Sequence, residues 1–126
     1  MSFGAVMRSY DEVITFHSRW VIGASGAHTK AAGVAGSGFR SVARNVAGKY
    51  TVTLSDPPVG PIVDVKLTHW PADAAAPKNL RPTVSSYDPS AKTLKYEAWS
   101  VGTTPALAEL ASGDQVSIEV VFQKTR

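Results

Sequence analysis

The sequence predicts an all-β protein, an antiparallel β-sandwich or jelly-roll-like barrel of about seven to eight strands. Three observations point there. Short segments rich in Val, Ile, Thr, Tyr and Phe alternate apolar and polar side chains, as strands with one buried face do. They recur every roughly 8–16 residues with Gly, Pro, Asn and Asp between them. They do not alternate with long amphipathic helices, which disfavours a doubly wound α/β fold.

In chain order, "DEVITFHSRWVI" (11–22) predicts a strand with Ile14, Phe16, Trp20 and Ile22 on one face and Ser18 as the gap in that row. "GASGAHTKAAGVAGSG" (23–38) holds five glycines and five alanines and predicts a long loop or flexible arm, because such a segment buries little area and is entropically costly to fix. "FRSVARNV" and "KYTVTL" form a hairpin, with Tyr50, Val52 and Leu54 inward. The two prolines of "SDPPVGP" punctuate the chain before "IVDVKLTHW", whose Val63, Val65 and Leu67 are expected inside. "LRPTVSSYD" is a short strand demoted to an edge by Pro82. "TLKYEAWSV" buries Leu94, Tyr96 and Ala98. In "GTTPALAELASGD", Thr104 is expected to cap a single helical turn closed by Gly113. "QVSIEVVFQK" ends the fold with Val116, Ile118, Val120 and Phe122 as its buried row. The division expected is an N-terminal strand plus Gly/Ala-rich arm over 1–37, then a sandwich domain over 38–126.

Composition narrows the chemistry. The 126 residues suit one domain. With 44% hydrophobic and 18% charged residues, disorder of the whole chain is not expected. The absence of cysteine removes disulfides, thiolate metal sites and a Cys nucleophile. No apolar run is long enough for a membrane-spanning helix, and the start lacks the apolar core of a signal peptide. The net charge is +3, but the basic residues are scattered, so direct nucleic-acid contact is not expected.

No catalytic constellation stands out. His17, His28 and His69 are far apart in the chain and read as surface or strand-edge residues. "GASGA" lacks the spacing of a nucleophile elbow, and "GVAGSG" is not a phosphate loop. Asp64, Glu97 and Glu119 fall at outward strand positions beside Lys66 and Lys95, as solvated faces do. No catalytic residue, metal or cofactor is assigned, and the protein is expected not to be an enzyme. Contact residues are the better expectation. Trp70 ends a strand, and Trp99 shares parity with Lys95 and Glu97. Arg40 and Arg44, four apart on a strand, could join Lys49 in a basic patch. Phe3, Arg8 and Tyr10 would serve from the arm.

The runs "GFRSVARNVAGKYTVTLSDP", "LRPTVSSYDPSAKTLKYEAWSV" and "GDQVSIEVVFQK" resemble a group of small tailed-bacteriophage virion proteins. In that group a "G-x-Y-T-V-T-L" strand leads to a mid-chain strand and a terminal "D-x-V-x-x-x-x-x-F" strand; here these are Gly48–Leu54 and Asp114–Phe122. The resemblance covers about residues 38–124 and extends to trimeric jelly-roll heads of the C1q type. It implies a non-enzymatic capsid decoration (cement) protein, homotrimeric, bound to the major capsid protein on the outer capsid surface and made in the host cytoplasm. A tail or fibre-associated module that binds a host glycan or protein through Trp70 and Trp99 is the alternative.

Overall fold

The computed structural model describes residues 13–33, 36, 38–58, 61–72 and 80–123. Phe3, Arg8 and Tyr10 lie outside them. The described chain forms eight strands: β1 (Val13–Ile22), β2 (His28–Lys30), β3 (Phe39–Val46), β4 (Lys49–Leu54), β5 (Ile62–Trp70), β6 (Leu80–Asp88), β7 (Thr93–Ser100) and β8 (Gln115–Gln123). One four-stranded sheet runs β2-β1-β8-β5 and the other β3-β4-β7-β6, with antiparallel pairing throughout. The predicted β-sandwich is what forms.

The core is built from the alternating rows. Tyr50, Val52 and Leu54 of β4, Leu94, Tyr96 and Ala98 of β7, and Val116, Ile118, Val120 and Phe122 of β8 are all fully or almost fully buried. Each large apolar side chain so buried contributes about 1.5–3 kcal/mol. Phe16, Phe39 and Phe122 meet edge to face, with centroids 6.3 Å apart for Phe16–Phe39 and 5.3 Å for Phe16–Phe122. The gap at Ser18 has a purpose: its buried Oγ accepts the Trp20 Nε1–H at 2.7 Å, which lets the indole enter the core with its donor satisfied.

Four local expectations are corrected. First, the sandwich extends back to Val13, because β1 pairs with β8 from Val13↔Gln123 to Val21↔Gln115. The Gly/Ala-rich stretch is also partly ordered, as a 3-10 turn at Ala24–Gly26 and the strand β2. Second, Val63 does not point inward. A register break between Ile62 and Asp64 leaves it 53% exposed and turns Ile62 to the core in its place, while Val65 and Leu67 face the core as expected. Third, the segment after β7 forms no helical turn; its backbone bonds back onto β7 (Ser100 N–H to Ala106 O, 2.8 Å; Ala108 N–H to Ala98 O, 2.9 Å). Fourth, Arg40 and Arg44 do not share a patch with Lys49. A register break at Phe39/Ser41 interrupts the alternation, and Arg44 sits opposite Tyr50, at a core-facing position.

Candidate functional site

The two long sides of the sandwich differ in how they are closed. On the β2/β3 side, polar side chains close the sandwich. The Gly26 carbonyl lies 2.8 Å from His28 Nδ1 and can only accept, so Nδ1 carries the proton and Nε2 accepts from the Tyr96 hydroxyl. Burial lowers the His28 pKa, which keeps the ring in this neutral form. Tyr96 stacks on Tyr50 at 5.0 Å. The Tyr50 hydroxyl donates to Glu109 Oε1 at 3.1 Å and accepts the Leu110 N–H at 3.2 Å. Glu109 in turn receives the Arg44 Nε–H at 2.9 Å. Burial is the chief cause that pushes the Tyr50 phenol up to about 12 and holds Tyr96 well above its ordinary value. The glycine at 26 permits this closure, since a Cβ there would come within 2.5 Å of the Arg44 side chain.

At the end of the first sheet, Asp114 ties two loops to the core. Its carboxylate receives the His69 Nε2 at 2.8 Å, the Ala72 N–H at 2.9 Å and the Ala111 N–H at 3.2 Å. Burial raises the Asp114 pKa, but these donors together outweigh it and the net effect is a lowered value. The His69 side chain is only 4% exposed, so it is not a surface residue, although it stands on the edge strand β5. His28 is half-buried, and only His17 faces solvent as expected. Above this knot Trp70 is 47% exposed, with its Nε1–H given to Ser117 Oγ at 2.9 Å and the Arg19 guanidinium 4.7 Å over its ring. Arg19, Trp70, Ala72, Gly113 and Gln115 border an open hollow of about 400 Å³.

The β5/β6 side is unfinished. Among the described residues, the apolar side chains that pack on the core while remaining partly exposed are Phe16 of β1 and six on β5 and β6: Ile62, Val65, Leu67, Leu80, Val84 and Tyr87. Between these strands runs an open groove of about 750 Å³ lined by Val65, Leu67, Leu80, Pro82, Val84 and Val101, among others.

The expected contact residues are thus scattered. Trp70 is displayed as predicted. Trp99 is half-buried, because Leu107 bridges to it as the segment after β7 folds back. Arg44 is bound to Glu109 and Lys49 lies 3.7 Å from Glu97, while Arg40 is exposed at the register break in β3. The groove was not found from the sequence, because alternation shows which face of a strand is apolar but not whether a neighbour covers its edge. Among the described residues no group of three metal-ligating side chains converges. No protein-family description, curated protein or solved structure matches this chain.

Proposed function

We propose that the protein is a structural subunit of a tailed-bacteriophage particle, a decoration protein that binds the major capsid protein and stabilises the shell without catalysing a reaction. One observation carries this reading: the partly covered apolar residues gather along the β5/β6 side, while polar side chains close the opposite side. A groove that sets Val65, Leu67, Leu80, Pro82 and Val84 beside Lys66, Thr68, Arg81 and Thr83, with a rigid sandwich behind it, fits a protein–protein contact better than a ligand cleft. The resemblance supports the setting, since its matched runs fall on β3, β4, β6, β7 and β8. Many weak contacts repeated over a shell become strong together.

The test is to purify particles that carry the chain, count its copies by quantitative mass spectrometry and image their heads. High copy number and density on the outer shell are expected. Absence from the particle would overturn the reading. A few copies at the tail tip would favour the second reading, a host-glycan module, which rests on the exposed Trp70 ring beside Arg19 and Gln115.

A further inference from the structure

The three tryptophans differ in what their indole N–H groups meet. Trp20 gives its own to Ser18 and Trp70 gives its own to Ser117, but Trp99 has no acceptor among the described residues. No buried side-chain donor is left unpaired among those residues, so the Trp99 Nε1–H is open to solvent. Trp99 stands directly opposite Arg81, on the outer face of β6 and β7. The Arg81 guanidinium has no carboxylate partner among the described residues either. Both side chains line a recess of about 370 Å³, whose apolar wall is Val101 and Pro105. That wall is pinned to β7: the Ser100 N–H donates to the Ala106 carbonyl at 2.8 Å, and the Ser100 Oγ accepts the Ala106 N–H at 3.1 Å. Arg81 and Thr83 also border the β5–β6 groove, whereas Trp99 and Pro105 belong to the recess.

We propose that this recess binds a small apolar carboxylic acid, with an aromatic ring or branched chain against Trp99, Val101 and Pro105 and the carboxylate on Arg81. The volume is that of a small-molecule site, and the walls are held in place before any ligand arrives. Arg81 is the only ionisable residue among those that line it, so the recess offers one positive charge and suits a monoanion. A phosphate dianion would find no second cation there, and a neutral sugar would leave the guanidinium unused. The fork of a guanidinium matches a carboxylate with two parallel hydrogen bonds. The free indole N–H supplies one more donor beside the flat apolar surface that the ring itself presents. This inference does not rest on the virion reading, and it holds or fails separately from it.

Titration of the purified full chain with phenylpropionate, followed by nuclear magnetic resonance, tests it. The assigned Trp99 indole N–H signal should shift saturably, with a Kd of about 1 mM or tighter. Phenylpropionamide, which keeps the ring and loses the charge, should bind about tenfold more weakly or worse. Arg81→Gln should cost the acid about the same factor. Arg81 is exposed, so the melting of this variant should match the wild type. Lys95→Gln removes another exposed cation from the outer face of β7, outside the recess, and should leave binding unchanged. A Trp99 signal that does not move, equal binding of acid and amide, or the same loss from Lys95→Gln as from Arg81→Gln would overturn the proposal. So would a saturable shift confined to the Trp70 indole.

Discussion

Asp114 and Tyr50 each hold several partners on one side chain, so single substitutions there have large expected effects. Replacing Asp114 by Ala frees the His69 ring and the N–H groups of Ala72 and Ala111. Removing one partner of a buried hydrogen-bonded pair costs about 3 kcal/mol, and a thermal or urea melt would show it. The same carboxylate sets a pH dependence. Its folded pKa lies below the ordinary 3.8, so it stabilises the fold above that value, and the contribution disappears as pH falls through the folded pKa. The wild type is therefore expected to lose stability below about pH 4 by more than Asp114→Ala does, as measured by urea unfolding at stepped pH. Tyr50→Phe should lower stability by about 1–3 kcal/mol, because the Leu110 N–H loses its acceptor and Glu109 loses a donor. In an alkaline absorbance titration the wild type should show a tyrosine with a midpoint of about 12 that this variant lacks. None of these partners was legible in the sequence. Asp114 lies 45 residues from His69, and Tyr50 lies 59 from Glu109. Local patterning carries no information about which polar groups meet across such distances.

At the scale of elements, legibility follows regularity. β4, β7 and β8 alternate without interruption, and their buried rows are those the sequence predicts. β5 deceives at one position, because a strand that gains a residue at a break reverses its facing there, and nothing in "IVDV" marks the break. The segment at 104–113 has a good helix start in Thr104 and Pro105, but the backbone of β7 offers it a closer set of partners. The polar Ser18 looks like a defect in β1 and is the acceptor for Trp20. The Gly/Ala-rich stretch hides the short β2, which lends β1 a second neighbour. β1 itself is an inner strand, flanked by β2 and β8. A chain lacking residues 1–36 therefore loses two of the eight strands and uncovers the β1-facing side of β8. It is expected to be insoluble or molten, with weak near-ultraviolet dichroism and no cooperative melt. A cooperatively folded product would show that β3 to β8 suffice, as the division at residue 38 predicts.

For the molecule as a whole, what counts is where the apolar surface stops being covered. His28 with Tyr96 and Arg44 with Glu109 fasten the two sheets along β2 and β3. Along β5 and β6 no comparable polar closure is found among the described residues, and the core thins into a groove. We propose that this unfinished side is the docking side. Hydrogen–deuterium exchange, read peptide by peptide on the free chain and on the chain mixed with the proposed capsid particle, tests this most directly. Binding should slow exchange along residues 62–68 and 80–88 and leave β3 and the Trp70 end of the sheet (69–72) unchanged. Protection confined to β3 or to the Trp70–Arg19 hollow, with residues 62–68 and β6 exchanging as in the free chain, would contradict it.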